Sequence, residues 1–233
     1  MVQKSTSRKI GTMQEGSLHA SLKTWYMIPG DLCEVGIDGY LVDIVRGELL
    51  IEIQTRNFAA LKQKLTSLTE NHPILLVYPI SQEKWIVHLA SDGCTPIGRR
   101  RSPKRGGLEQ LFYELVSIPN LVRNPRFSLE ILLIREEEYR CTSGQTRKGW
   151  ITIDRHLIKV LDRVIFRSPI DYRSLLPAGL LNPFTSRDLA SALRLSHNLA
   201  QKMTYCLRRM GTIEVVGKRG NSLLYASSPG SEA

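Results

Sequence analysis

The fold is decided by residues 40–54, Tyr-Leu-Val-Asp-Ile-Val-Arg-Gly-Glu-Leu-Leu-Ile-Glu-Ile-Gln. Two strand-like runs, Tyr40 to Val45 and Glu48 to Gln54, are separated by Arg46-Gly47, which is typical of a tight hairpin turn. Because side chains alternate along a strand, one face of this hairpin is entirely apolar and the other carries an aspartate and a glutamate. The stretch therefore predicts a sheet with one core-forming face and one acidic face.

Asp43 and Glu52 are the two acids on the polar face of this hairpin. With Arg46-Gly47 as a two-residue turn, Asp43 faces Leu50, and Glu52 lies diagonally across from Asp43 with Cβ atoms roughly 7–8 Å apart. That separation suits two carboxylates that share one divalent cation. Oxygen ligands favour Mg²⁺ or Mn²⁺ over Zn²⁺.

The regions on either side of the hairpin predict alternating helices and strands. Hydrophobic periodicity and turn residues separate these elements. The predicted elements are an N-terminal helix that begins near residue 12, helices over 58–68 and 108–117, and strands over 73–80, 84–90 and 127–134. This order is an α/β pattern with one central sheet.

An Asp followed after a short spacer by Glu-x-Gln resembles the motif of the PD-(D/E)XK nuclease superfamily. The resemblance covers roughly residues 12–135 and implies a restriction-endonuclease-like fold, a central mixed sheet flanked by helices. It implies that Asp43 and Glu52 bind Mg²⁺ or Mn²⁺. The metal would lower the pKa of a bound water and neutralise charge on the scissile phosphate.

Two positions differ from the usual pattern of the superfamily. Gln54 stands where the family has Lys, and Val42 replaces the Pro before the aspartate. An amide can coordinate or orient water, so we keep Gln54 in the catalytic set, and Lys62 or Lys64 on the next helix is a candidate for a displaced cation.

The N-terminal helix supplies Glu15 as a further catalytic candidate. Thr12 and Glu15 also have the spacing of a capping box, so Glu15 either closes that box or serves the metal site. His19, one turn later, is expected to be a packed helix residue.

The C-terminal region predicts a short helix, a longer helix from Ser196 to Met210, and a hairpin whose turn contains two cations. This order resembles a winged helix-turn-helix domain, in which a helix enters the major groove and a cationic hairpin lies against phosphates. From residue 184 onward there are seven Lys/Arg and three Asp/Glu. A winged helix that contacts protein is the alternative. The residues predicted to contact DNA here are Gln201, Lys202, Tyr205, Arg208, Arg209, Lys218 and Arg219.

A second basic stretch lies in the N-terminal part of the chain, over residues 98–107. We expect it to be a phosphate-contacting or disordered loop. Arg56, after the hairpin, is either a phosphate contact or a solvated side chain. The cations of the stretch are Arg99, Arg100, Arg101, Lys104 and Arg105.

These assignments divide the chain into a nuclease-like domain over residues 12–140, a connector over 141–182 and a winged helix domain over 183–228. Residues 151–166 of the connector are predicted to be helical. The net charge of +10 and the pI near 9.6 favour a polyanionic partner, above all duplex DNA.

The remaining sequence features favour a cytoplasmic protein. The chain contains no apolar run near the roughly 18 residues of a transmembrane helix, and no signal-peptide core follows the first basic residues. Its four cysteines are far apart, without zinc-site spacing. We therefore expect no membrane partner.

Together, these features predict a magnesium-dependent DNA endonuclease-like protein, of the restriction, repair or transposition type, that a winged helix targets to duplex DNA. The alternative is a non-catalytic DNA-binding regulator or adaptor that retains the nuclease fold, and Gln54 is the residue that favours it. Cutting both strands of a duplex usually needs two such sites, which predicts a homodimer or a partner subunit.

Overall fold

A computed structural model describes residues 16–142 and 149–227 of the chain. Three short 3₁₀ turns, Leu108–Leu111, Leu121–Arg123 and Pro169–Leu175, accompany the helices and strands. The described helices are α1 (Ser17–Tyr26), α2 (Phe58–Leu68), α3 (Phe112–Leu115), α4 (Ser186–Leu193) and α5 (His197–Met210). The described strands are β1 (Leu32–Ile37), β2 (Tyr40–Arg46), β3 (Leu49–Ile53), β4 (Ile74–Leu89), β5 (Pro96–Arg101), β6 (Phe127–Thr142), β7 (Trp150–Phe166), β8 (Ile213–Arg219) and β9 (Ser222–Ser227).

The larger sheet is mixed, with seven strands in the order β1-β2-β3-β4-β6-β7 and with β5 along the second half of β4. The first three strands form an antiparallel meander, β3, β4 and β6 are parallel, and β7 returns antiparallel to β6. Helix α2 connects the parallel strands β3 and β4, as such a connection requires. The protein is therefore α/β with a large mixed sheet flanked by helices, which confirms the predicted fold class at that level.

The predicted hairpin is present, but its turn lies one residue further along the chain. Arg46 pairs with Leu49, so the turn is Gly47-Glu48 rather than Arg46-Gly47. Gly47 has φ +58°, a value that favours glycine at the first position of a two-residue hairpin turn. The paired register ends at Ile44 and Ile51. Beyond it, Asp43 and Glu52 are joined through side chain–backbone hydrogen bonds rather than through the ladder.

Two apolar layers cover the sheet, one on each face. Leu18, Leu22 and Tyr26 of α1 pack on one face. The other face packs against α2, α3 and the C-terminal helices, and Phe58 and Phe112 are completely buried there. The two acid-bearing strands, β2 and β3, lie between the edge strand β1 and the central strand β4.

The structure contradicts the helix predicted over residues 151–166. These residues form most of β7, which pairs with β6 along its whole length. Three of its residues, Ile153, Ile158 and Leu161, lie at register shifts and have no partner on β6. The first part of the predicted connector therefore belongs to the main sheet.

Other elements also differ from the sequence predictions. The two strands predicted over 73–80 and 84–90 form one strand, β4, with a bulge near Ser81. The predicted loop over 98–107 contains strand β5, and β1 was not predicted. The helix predicted over 108–117 is a 3₁₀ turn followed by the one-turn helix α3. The predicted capping box at Thr12 and Glu15 lies outside the described residues.

The C-terminal helices and hairpin have the predicted order. Thr185 and Asp188 form a capping box at the start of α4, and Gly211, at φ +82°, ends α5. Met203 and Leu207 of α5 belong to the same buried cluster as Phe112, so one continuous apolar core joins this unit to the sheet. Across residues 16–142 and 149–227, no helix is long and apolar enough to cross a membrane.

Candidate functional site

Asp43 and Glu52 lie side by side on β2 and β3 and are linked through backbone amides. The Ile53 amide donates to Oδ2 of Asp43 at 2.9 Å, and the Asp43 amide stabilises the Glu52 carboxylate. Glu52 is only 3% exposed. The sheet thus holds two carboxylates next to each other, and one of them is almost completely removed from water.

His19 of α1 contacts the first of these acids. Its Nε2 lies 3.2 Å from Oδ2 of Asp43. Burial alone would raise the pKa of Asp43, but the hydrogen bonds from His19 and from the Ile53 amide outweigh it and hold the pKa below its usual value. The expectation that His19 is only a packed helix residue was therefore incomplete. Its position one helical turn after Glu15 was the available signal.

Lys64 of α2 contacts the second acid from the other side of the sheet. Its ammonium forms an ion pair with Glu52 Oε1 and donates to the carbonyl of Leu41. Oε1 is buried and makes no hydrogen bond of good geometry with the described residues. Burial raises the pKa of Glu52 above its usual value, and the nearby Lys64 only partly opposes this effect. Lys64 is thus the candidate cation that the structure brings to the acids, whereas Lys62 lines a separate surface groove.

The residue set fits a divalent cation that keeps most of its waters. Mg²⁺ is commonly bound by one or two carboxylates, and Asp43 and Glu52 supply two, with the Lys64 ammonium already in contact with Oε1 of Glu52. Among the described residues, no group of three or more His, Cys, Asp or Glu side chains is close enough to hold a metal ion. Glu15, the other predicted catalytic acid, lies outside the described residues.

Gln54 and Arg56 follow the acids at the end of β3. The Gln54 side chain donates to the carbonyl of Asn57 at 3.2 Å, and Arg56 is exposed. Arg56 and His19 line a cleft of about 330 Å³ whose far wall includes Arg155 of β7. The structure therefore places Arg56 in the same cleft as His19, the partner of Asp43, while the amide of Gln54 is engaged with the backbone.

The five cations of the basic stretch are not equivalent. Arg99 pairs with Glu137 at 2.7 Å and lies over the ring of Trp85, and Arg101 pairs with Glu83 at 3.0 Å. Arg100, Lys104 and Arg105 have no ion-pair partner in the part of the chain that the structure describes. The first three cations of the predicted basic loop thus lie on strand β5, and two of them are already neutralised.

The cations of the C-terminal unit are also divided. Arg209 donates to Asn120 of the main body at 3.2 Å, and Arg219 forms an ion pair with Asp188 of α4. Lys218 and Arg208 remain exposed, and Lys202 is half-buried. Gln201 and Tyr205 lie on the same exposed side of α5 as Arg208. Of the residues predicted to contact DNA, Arg209 and Arg219 are therefore already bound to other residues of the protein, whereas Arg208 and Lys218 are exposed to solvent.

Comparison with known proteins places the chain among proteins of unassigned function. A protein of Treponema pallidum (strain Nichols) described as "Uncharacterized protein" is 30% identical over 224 residues, which cover 94% of this chain and 88% of that protein. No solved structure matches. The family model described as "Domain of unknown function (DUF8091)" matches residues 16–167, from the residue before α1 to the residue after β7. The chain therefore belongs to the DUF8091 family.

Proposed function

We propose that this protein is a metal-dependent DNA nuclease of the PD-(D/E)XK type whose C-terminal unit is a DNA-binding winged helix. The observation that carries the proposal is the placement of Asp43 and Glu52 side by side on neighbouring strands with the Lys64 ammonium against Glu52. Two acids and a lysine are the groups that the superfamily motif combines. In this chain the lysine comes from α2 rather than from the position of Gln54.

The order of elements supports the same proposal. A helix, a three-stranded meander with an acid on its second and third strands, a further helix and then a parallel strand follow each other in that order. This order agrees with the helix, acidic hairpin and helix on which the resemblance to the nuclease superfamily rests. The fold also places the acids on rigid strands, which a metal site requires.

In the proposed reaction, Asp43 and Glu52 would hold the cation, which would supply activation of a water and compensation of charge on the phosphate. His19 and the Ile53 amide fix the orientation of the Asp43 carboxylate. The positive charge of Lys64 next to the buried Glu52 lowers the free-energy cost of ionising this carboxyl. Arg56, exposed at the adjacent cleft, binds a neighbouring phosphate of the substrate strand.

DNA binding is assigned to α5 and the β8–β9 hairpin. The exposed side of α5 carries an amide, a phenol and a guanidinium, groups that can contact the bases and phosphates of DNA. The basic composition of the whole chain supports a nucleic-acid partner. In this proposal the C-terminal unit supplies affinity and the acid site supplies chemistry.

The test of the nuclease activity is nicking of supercoiled plasmid in Mg²⁺ or Mn²⁺ by the purified protein and by its Glu52→Gln variant. We expect the variant to lose roughly 100-fold or more of the rate, because it lacks one of two charged ligands. Glu48→Gln, an exposed glutamate in the turn of the same hairpin, is the matched control and should cut normally. Gln54→Lys should maintain or raise cleavage. Equal cleavage by wild type and Glu52→Gln would refute the assignment.

A non-catalytic DNA-binding adaptor is the second candidate, and Lys64 is the observation that favours it. An ammonium that already compensates Glu52 makes a metal ion unnecessary for the stability of the fold. This candidate predicts normal DNA binding, no cleavage of linear, supercoiled or branched DNA, and no heat of Mg²⁺ or Mn²⁺ binding in calorimetry.

A further inference from the structure

The hairpin of the C-terminal unit is tied back to the start of α4. Arg219, near the hairpin tip, forms an ion pair with Asp188 and donates to Thr185 at 3.4 Å. At the other end of the hairpin, the backbones of Phe184 and Tyr225 exchange hydrogen bonds of 2.9 and 2.7 Å. The hairpin is therefore held beside the helices along its length and cannot point freely away from them.

This arrangement makes the exposed side of α5 the floor of a cleft. The cleft lies between α5 and the hairpin and has a volume of about 420 Å³. A major groove is about 12 Å wide and takes up a helix that stands out from the protein surface. A walled cleft of this volume instead has the size of a binding site for one small group.

The chemistry of the lining residues fits a nucleotide. Gln201 and Asn221 offer amide donors and acceptors for the edge of a base, and the ring of Tyr205, 40% exposed, offers a surface for stacking. Arg187 and Arg208 supply positive charge for its phosphates. The residues that line the cleft all belong to the described part of the chain, and none of them is acidic.

We propose that the cleft between α5 and the β8–β9 hairpin binds one unpaired nucleotide of a DNA strand that continues from a duplex. This inference rests on the proposed DNA-binding function. A phosphate of intact duplex would need only the two arginines and would leave the amides and the phenol ring without a role. An unpaired base uses all of these groups, because each base has both a hydrogen-bonding edge and a face for stacking.

The experiment measures anisotropy of three labelled DNAs: a blunt 20-base-pair duplex, the same duplex with a five-nucleotide single-stranded tail, and the tailed duplex with abasic sites in the tail. We expect the tail to raise affinity about tenfold and the abasic tail to lose this gain, since stacking and base-edge contacts need the base. Tyr205→Ala and Asn221→Ala should lose the gain from the tail, so that each variant binds the tailed duplex no more tightly than it binds the blunt duplex.

Tyr113→Ala, an equally exposed tyrosine on α3, is the matched control and should retain the full gain from the tail. A thermal melt of each variant checks that it folds. Equal binding of blunt and tailed duplex by wild type would overturn this inference and leave the proposed DNA binding intact. A gain that survives with the abasic tail would also overturn it, since a phosphate-only site would explain it. Absence of binding to all three DNAs would refute the proposed function as well.

Discussion

The acid site and the C-terminal unit differ in whether their charged side chains have partners of opposite charge. Around the acids and along β6, buried carboxylates each face a cation, as Glu52 faces Lys64 and Glu138 faces Lys84. On α5 and the hairpin, Arg208 and Lys218 are exposed without an acid partner in the described residues. A matched charge in the interior stabilises one geometry, whereas an unmatched surface cation is available to a polyanion. The two regions therefore suit different tasks, fixed chemistry and reversible binding.

The largest effect is expected when the cations without an acid partner are replaced by neutral residues. Lys202→Ala, Arg208→Ala and Lys218→Ala together should weaken duplex DNA binding by roughly 30- to 100-fold and lower the salt slope by about two to three, because fewer counterions are released. A gel-shift series from low to high salt measures both quantities.

The matched control for that experiment uses the two cations of the same unit that are already engaged. Arg209→Ala and Arg219→Ala remove an equal kind of charge, but their partners are Asn120 and Asp188. We expect a small loss of affinity from this pair and a larger loss of stability. An equal loss of DNA affinity from the Arg209 and Arg219 substitutions and from the Lys202, Arg208 and Lys218 substitutions would contradict this prediction. It would show that a cation with an internal partner binds DNA as well as one without.

The matched charges make a prediction about stability and pH. Burial alone would raise the pKa of Glu138, but hydrogen bonds from Lys84, Arg140 and Thr152 lower it to about 2. A carboxyl whose pKa is lowered in the folded state stabilises the fold fully above its unfolded pKa, and this stability is lost as pH falls through the folded pKa. Glu138→Gln should therefore cost about 1.5 kcal/mol at pH 7, with the deficit shrinking between about pH 5 and pH 2.

Urea unfolding of wild type and Glu138→Gln at pH 7 and pH 3.5 measures this difference. Glu48→Gln, exposed in the hairpin turn, serves as the control and should change stability at pH 7 by less than about 0.5 kcal/mol. A deficit for Glu138→Gln that is equal at both pH values would show that the hydrogen bonds do not depend on the charge of Glu138.

The hairpin illustrates how much of the site the sequence could predict. Alternation of polar and apolar residues was enough to find both strands and to put Asp43 and Glu52 together. The predicted register of the hairpin differed from the observed one by one residue, because Leu49 and Leu50 are both apolar and either could face the core. The decisive signal was Gly47, since glycine readily adopts the positive φ needed at the first position of the turn.

Strand β7 shows why other parts were predicted wrongly. Each unpaired residue at a register shift adds one to the spacing of the residues that share a face, so Leu157 and Val160, which pack on the same face of the sheet, are three residues apart. That spacing is typical of a helix. The sequence left Lys62 and Lys64 as alternatives and did not indicate the contact of His19 with Asp43. Both contacts join residues of different elements, and only the packing of α1 and α2 on opposite faces creates them.

The smallest expected effect concerns β5, where matched and unmatched cations alternate along one strand. Because successive side chains point to opposite faces, Arg99 and Arg101 share the face with their acids and Arg100 points away from it. Replacing Arg100, Lys104 and Arg105 by Ala should weaken binding about three- to fivefold on random and preferred sequences alike, since phosphate contacts carry no sequence information. Replacing Arg99 and Arg101 by Ala should leave DNA affinity nearly unchanged, because Glu137 and Glu83 already neutralise these arginines. Gel shifts with two unrelated duplexes compare the variants. A loss confined to one duplex would mean that β5 reads bases, and equal losses from both sets of substitutions would mean that DNA displaces the internal acids from their arginines.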